Sequence, residues 1–215
     1  MRAVLLGPRN ESPMSLKLLL RKIPLLASDL RIGVDGGTED WLAIGRPPQM
    51  AIGDWDSLRS REVLKTIAHM TLPVKKDRSD LHHALALARE MGAVDIVALG
   101  VTGGRPDHHL ASLLELGAAS AFPEFRSVQA VDGNARYFWV SPSQILQLAV
   151  GRGGVFSVFA LGGDARGVSI SGARFSLSGA KLQPGSLGLS NVARSARVTI
   201  EVKSGGLLVV APQPV

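Results

Sequence analysis

The sequence predicts an α/β N-terminal domain with an open, mostly parallel, Rossmann-like sheet, followed by an all-β sandwich domain. Three observations carry this prediction. Short apolar runs alternate with helical patterns over roughly the first 135 residues. No helical pattern is evident from about Arg136 onward, where short apolar runs are broken by Gly, Ser and Pro. The charge balance changes at the same place: residues 1–135 hold 16 Lys+Arg and 16 Asp+Glu, whereas residues 136–215 hold 8 basic and 2 acidic residues. The boundary is therefore set at 135/136, giving domains 1–135 and 136–215.

In the first domain, "AVLLG" reads as a strand. "SPMSLKLLLRKI" reads as a helix with Ser12 as N-cap, Pro13 at its first position and Leu16, Leu19, Leu20 and Ile23 as its apolar stripe. "LRIGVD" and "QMAIGD" are strands that each end in Asp. "SREVLKTIAHM" repeats the helix grammar, with Ser60 as cap and Val63, Leu64 and Ile67 as stripe. "MTLPV" and "VDIVALGV" are strands around a helix in "SDLHHALALAREMG", which stops at Gly92. "RPDHHLASLLELGAAS" is a further helix, and "SVQAVD" closes the series. Continuous apolar strands alternating with helices imply a parallel sheet covered on both faces. In the second domain, "RYFWV", "QILQLAV", "GVFSVFAL", "GVSISGARFSLSG", "ARVTIEVK" and "GLLVVAP" read as antiparallel strands.

The 215 residues, 46% of them apolar, suffice for a sizeable core. There is no cysteine, which excludes disulfides and thiolate metal sites. The apolar run at the N-terminus is too short for a signal-peptide core, and no segment approaches the ~20 apolar residues of a membrane span. A soluble, cytoplasmic protein with no membrane partner is expected. The net charge of +6 comes from cations scattered singly, as in "GRGG" and "DARG". Without basic runs or interleaved aromatics, no nucleic-acid partner is expected.

The chemistry concentrates at strand ends. In an open α/β sheet, ligands bind beyond the carboxyl ends of the strands. Asp35 of "GVDGG", Asp54 and Asp56 of "IGDWDSL", Asp77 and Asp80 of "KKDRSD", and Asp107 of "GVTGGRPDHH" all follow predicted strands. Each acid alone is explained by a turn or a helix cap. Four acidic loops on one edge of a parallel sheet are different, because crowded carboxylates repel one another and a divalent cation relieves this. Oxygen donors without Cys suit Mg²⁺ shared with substrate phosphates. The glycines of "GVTGGR" allow backbone N–H groups to approach phosphate oxygens, and Arg105 offers a fork for them. The combination indicates phosphoryl transfer from a nucleotide. The G-x-x-x-x-G-K-[ST] loop is absent, and no G-x-G-x-x-G follows a strand. Adjacent helical histidines point about 100° apart, so neither His82-His83 nor His108-His109 chelates as a pair. His82, His83 and His109 read as helix-surface or packing residues; His108 is kept as a phosphate-side contact. Trp41 and Trp55 read as core or pocket wall.

These segments match a known pattern in order and spacing: D-G-G, G-D-x-D-S, K-x-x-[TS]-D and G-x-x-G-x-R-x-D-H, over roughly residues 33–117. The sequence thereby resembles the thiamine pyrophosphokinase (thiamin diphosphokinase) family. The family's G-[IL]-S-N element is similar to "GLSN", Gly188 to Asn191. The resemblance implies an α/β domain before a β-sandwich. It implies transfer of the pyrophosphoryl group of ATP to the hydroxyl of thiamine, giving thiamine diphosphate and AMP, with Mg²⁺. Asp54, Asp56 and Asp80 would hold the metal, with Asp35 or Asp77 in the same cluster. Gly36, Gly37, Gly103, Gly104, Arg105, Asp107 and His108 would face the nucleotide. Ser190 and Asn191 would hydrogen-bond the thiamine pyrimidine. The resemblance also implies a homodimer whose second domain, residues 136–215, binds thiamine and dimerises, with "GLSN" serving the partner's site. One departure is visible: members often carry an aromatic residue, commonly Trp, near the thiamine-binding elements, and here that stretch offers only Phe175. This keeps two alternatives open: another small-molecule acceptor, or a non-catalytic nucleotide-binding regulator.

Overall fold

The computed structural model describes residues 1–8, 13–142 and 144–212. The chain forms two compact units, one of residues 1–115 and 130–133, the other of residues 116–129 and 134–215. Among the described residues, no helix is long and apolar enough to cross a membrane.

The first unit contains β1 (Arg2–Leu6), α1 (Pro13–Lys22), β2 (Leu30–Val34), α2 (Gly37–Ala43), β3 (Met50–Gly53), β4 (His69–Thr71), α3 (Asp80–Glu90) and β5 (Asp95–Leu99). α4 (Pro106–Ser120) and β6 (Ser127–Val131) follow, and each contributes residues to both units. The strand order is β4-β3-β2-β1-β5, and every pairing along it is parallel. β1 lies inside this order, with Ala3 opposite both Leu30 and Ile96. The loops after β2, β3, β4 and β5 therefore leave from one edge of the sheet.

The core explains the helices. Leu16, Leu19 and Ile23 pack with Val4, Leu6, Trp41, Val97 and Leu99. Fully burying such a side chain contributes about 1.5–3 kcal/mol. The Trp41 indole N–H donates to Ile32 O at 3.2 Å, so its burial leaves no polar atom unpaired. Leu20 is only partly buried at the edge of this stripe. Pro13 opens α1 as expected, while Ser12, its expected cap, lies outside the described residues.

Two expectations for this unit need correction. "SREVLKTIAHM" is not an α-helix but a five-residue 3₁₀ turn, Arg61–Lys65, in which Ser60 still caps by accepting from Glu62 N. The strand expected in "MTLPV" starts earlier and is only His69–Thr71. Helix α2 was not expected at all. Its "GG" start reads as a turn, but Gly37 is there for contact: a Cβ would lie 1.8 Å from Leu6 O. Only glycine lets the helix start press against the end of β1.

The second unit contains β7 (Ala135–Val140), β8 (Ile145–Ala149), β9 (Val155–Ser171), β10 (Leu177–Leu182), β11 (Asn191–Val192), β12 (Arg197–Glu201) and β13 (Ser204–Pro212). Its strand order is β7-β13-β9-β12-β8, with β10 and β11 also on β9, and all these pairings are antiparallel. The strand expected in "GVFSVFAL" runs on into the start of "GVSISGARFSLSG" as the 17-residue β9, and the end of that second stretch belongs to the separate β10. Gly162 and Gly163, with φ of 78° and 152°, fall where the break was expected without ending the strand. One half of β9 pairs with β11 and the other with β10 and β12, around a core that includes Phe156, Val158, Ile170 and Val198.

Candidate active site

The Asp35 loop follows β2. Asp35 has φ 47°, a left-handed conformation uncommon outside glycine, and its N–H donates to Ile52 O at 2.8 Å. Gly53 permits this crossing, because a Cβ there would lie 2.9 Å from Asp35 Cα. The side chain is buried, at 4% exposure for the residue. Oδ2 accepts from Ser57 Oγ, whereas Oδ1 is buried without a hydrogen-bond partner. Burial pushes the Asp35 carboxyl above the usual carboxylate range, and the nearby Asp56 and Asp80 add to this against the Ser57 hydrogen bond. Ser57 Oγ also accepts from Gly36 N at 2.9 Å, which ties the two acidic loops together.

The Asp54–Asp56 pair follows β3 and turns on Trp55. In an extended chain, residues 54 and 56 point to the same face but 55 cannot reach a core behind a strand end. Trp55 instead has φ 67°, an outlier for a bulky residue that costs about 1–3 kcal/mol. Its ring is buried at 3% exposure with Ala51 and Ile67, its N–H donates to Thr71 Oγ1 at 2.8 Å, and it meets His69 edge-on at 5.9 Å. These contacts hold the strained turn. The tryptophan is a core anchor between the two acids. Carboxylate oxygens of Asp35, Asp54 and Asp56 lie within 4.8 Å of one another. Opposite ligands of an Mg²⁺ ion, each about 2.1 Å from it, are ~4.2 Å apart. Like charges at such distances repel by roughly 3–4 kcal/mol per pair at an effective dielectric of about 20.

Lys76, on the loop between β4 and α3, meets the acidic loops and was not singled out from the sequence. Its ammonium lies 2.5 Å from Asp54 Oδ2 and 3.2 Å from Asp80 Oδ1. The second contact is within ion-pair distance but is not aligned as a hydrogen bond. Lys76 holds the Asp54 carboxyl below the usual range. Burial pushes Asp80 up, against the pull of Lys76. Burial lowers the Lys76 ammonium, but Asp54 and Asp80 outweigh this and keep it above its ordinary value. The only available signal was the K-x-x-[TS]-D spacing itself. Ser79 caps α3, accepting from His82 N at 3.1 Å, and its hydroxyl donates to Glu115 Oε2 at 2.5 Å. Asp77 is exposed and outside the close carboxylate group. Of the acids expected at a metal, Asp54 and Asp56 are brought together with Asp35, and Asp80 joins them through Lys76.

The loop after β5 is glycine-rich, with left-handed Gly100, Gly103 and Gly104. Arg105 forks onto Asp107, Nε to Oδ1 at 3.1 Å and Nη2 to Oδ2 at 2.6 Å, with both side chains largely exposed. This pairing lowers the Asp107 carboxyl to about 2. His108 is exposed, and it is His109 whose Nδ1 accepts from Gly103 N at 2.8 Å. Thr102 donates to Asp132 at 2.8 Å, a second contact that sequence reasoning missed.

In the second unit, Gly188 lies so close to β9 that a Cβ would be 1.9 Å from Val158 O. Ser190 is exposed with φ 58°, and its N–H donates to Ser157 Oγ at 3.1 Å. Asn191 is buried. Its Oδ1 accepts from Phe175 N at 3.0 Å and Val192 N at 2.9 Å, and its Nδ2 donates to Phe175 O at 2.8 Å. This amide grips the main chain of Phe175. The Phe175 ring stays 60% exposed under the Arg174 guanidinium, 5.4 Å from its centroid.

The family described as "Thiamin pyrophosphokinase, catalytic domain" matches residues 24–125, and "Thiamin pyrophosphokinase, vitamin B1 binding domain" matches residues 143–207. A thiamine pyrophosphokinase of Bacillus subtilis is 39% identical over 88 residues; this stretch spans 39% of the chain and 41% of that relative's length. A crystal structure of thiamine pyrophosphokinase from Bacillus subtilis superposes with a TM-score of 0.83 at 22% identity, covering 100% of both chains. One from Geobacillus thermodenitrificans gives 0.80 at 24% identity, covering 100% of this chain and 98% of that one. The yeast enzyme gives 0.74 at 16% identity, with 99% and 86% covered. At these identities the structures establish the fold alone, and the matched domains establish the lineage. The chain belongs to the thiamine pyrophosphokinase family.

Proposed function

We propose that the protein transfers the pyrophosphoryl group of ATP to the hydroxyl of thiamine, giving thiamine diphosphate and AMP. The observation that carries this reading is the convergence of Asp35, Asp54 and Asp56 at the carboxyl edge of a parallel sheet, within the segment matched to the family's catalytic domain. The donor set is all oxygen, and the buried Asp35 Oδ1 lacks a partner, so the residues fit a hard divalent ion such as Mg²⁺. When bound, Mg²⁺ supplies charge neutralisation on the polyphosphate.

In this reading Asp54, Asp56 and Asp80 hold the metal and Asp35 completes the cluster. Gly36, Gly37 and Asp77 lie toward the nucleotide. The N–H groups of Gly103 and Gly104 cradle phosphate oxygens, Arg105 binds them through its fork, Asp107 keeps that fork oriented, and His108 stands on the nucleotide side. A carboxylate of the cluster accepts the proton of the attacking hydroxyl late in a loose transition state. The acidic surroundings also favour the cationic thiazolium. Residues 1–135 act as a Rossmann-like catalytic domain. Residues 136–215 act as a β-sandwich that binds thiamine and dimerises, with Ser190 at the pyrimidine. Asn191 stands with Ser190 at the pyrimidine and also fixes the Phe175 loop. The assembly is a cytoplasmic homodimer.

A second reading changes the acceptor to another small alcohol. The engaged Asn191 amide and the lack of a Trp beside Phe175 favour keeping it. Incubation with ATP, Mg²⁺ and thiamine decides between them. Thiamine-dependent AMP supports the proposal; AMP formed only with another alcohol selects the second reading; ADP as product overturns pyrophosphoryl transfer.

A further inference from the structure

We propose that Lys76 is a built-in counter-ion of the carboxylate cluster, which a divalent cation displaces. The inference rests on the metal-site reading above and goes beyond it. Asp35, Asp54, Asp56 and Asp80 face one another closely enough for their charges to interact. Lys76 is the cation found among them. Its side chain is 12% exposed, between Asp54 at 8% and Asp80 at 20%. Three groups of this kind are not left this far from water without compensation, and an ammonium between two carboxylates provides it.

The geometry is that of a shared cation rather than a fixed pair. Nζ holds Asp54 Oδ2 at 2.5 Å but meets Asp80 Oδ1 at 3.2 Å out of hydrogen-bond alignment. One ammonium has to serve two acids on different elements, the end of β3 and the start of α3, and satisfies only one of them well. Asp54 Oδ2 and Asp80 Oδ1 are not open to a metal while Nζ lies between them. A divalent ion that binds through these two oxygens takes the place of the ammonium. The means for this are local. Lys76 sits between β4 and α3 on a stretch with no helix or strand, and four methylenes carry its charge. The compact +1 charge thus holds the cluster together without metal. Once displaced, it is set free beside the site where polyphosphate is proposed to bind.

The test is calorimetric titration of the full chain with Mg²⁺, and with Mn²⁺ as a second probe, in the wild type and in Lys76→Met and Lys76→Gln. The thermal midpoint is read with and without metal. A displaced counter-ion predicts that both variants bind the ion about tenfold or more tighter than the wild type, because no competing cation has to leave. It also predicts that both melt lower than the wild type without metal and recover more on adding it. The Gln variant keeps a donor for Asp54 and covers the case in which the Met variant does not fold. Equal or weaker metal binding by a folded variant overturns the proposal, because Lys76 then stays in place and orients the ligands. A wild type that binds neither ion overturns the metal-site reading itself, and this inference with it.

Discussion

The acid cluster of the first unit and the Gly188–Asn191 corner of the second are built with the same device and serve different ends. Each holds non-glycine residues in a left-handed conformation: Asp35 and Trp55 in one, Ser190 in the other. Each also relies on a glycine pressed against a neighbouring main chain, Gly53 on Asp35 and Gly188 on Val158. In the cluster, polar capacity is left open. Asp35 Oδ1 has no partner, and three carboxylates converge. In the corner, most polar capacity is engaged: the Asn191 Oδ1 accepts from two main-chain N–H groups and its Nδ2 donates to Phe175 O. What the corner leaves open is apolar: Phe175, Leu187 and Leu189 are 60%, 82% and 55% exposed. A strained turn with open charges suits a cation and a polyanion. A strained turn with closed polar groups fixes a loop and presents surface for a ring or a partner.

This contrast predicts different losses. The largest is at the cluster. Asp54→Asn removes a charge from the converging acids, and turnover is expected to fall at least about a thousandfold, or roughly 4 kcal/mol of transition-state stabilisation. Steady-state AMP release measures it, and retention within a few-fold would break the role given to Asp54. Next, Trp55→Ala removes the anchor of the turn between the two acids. Its folding stability is expected to drop by about 3–5 kcal/mol in urea unfolding, with weakened metal binding in the folded fraction. A loss of stability without any change in metal affinity would separate the anchor from the site.

At the other corner, Asn191→Ala leaves the Phe175 N–H and C=O without their side-chain partners. The expected cost is about 1–3 kcal/mol of stability. The Michaelis constant for the acceptor should rise while that for ATP stays constant. Equal effects on both constants would argue that the two regions do not divide the work. The smallest effect is a pH dependence. Burial raises Asp35 in the folded state, so ionising it costs stability as pH rises through the range just above the ordinary carboxylate value. Asp35→Asn mimics the neutral form. Any stability it gains over the metal-free wild type should be largest near neutrality and shrink as pH falls through that range. Asp54 runs the other way: its lowered value contributes stability above the ordinary carboxylate pKa that is lost as pH falls through the folded one. Urea unfolding of the metal-free proteins across the acid range checks both signs.

The cluster was legible in the sequence for a topological reason. Parallel strands put their carboxyl ends on one edge, so Asp35, Asp54, Asp56 and Asp80 could be grouped before any distance was known, though the same reasoning also included Asp77 and Asp107, which lie outside the close carboxylate group. Lys76 was not, because its contact with Asp54 spans 22 positions and depends on how an irregular loop folds back. His109 rather than His108 meets the glycine loop, a choice set by where α4 begins and not by composition. The Asn191 grip was hidden similarly, because its partner lies 16 residues away on the other side of a loop. In the fold, glycines misled twice. Gly36-Gly37 read as a turn and masked α2, and Gly162-Gly163 read as a break within what is one strand. A glycine signals freedom or close approach, and the sequence alone does not say which.

The most direct test of the central claim is product analysis of a reaction with ATP, thiamine and Mg²⁺, by chromatography of both nucleotides and thiamine species. Pyrophosphoryl transfer predicts AMP and thiamine diphosphate in equal amounts, abolished by chelation of the metal and nearly abolished in Asp54→Asn. ADP with thiamine monophosphate, or AMP released at the same rate without thiamine, would contradict it.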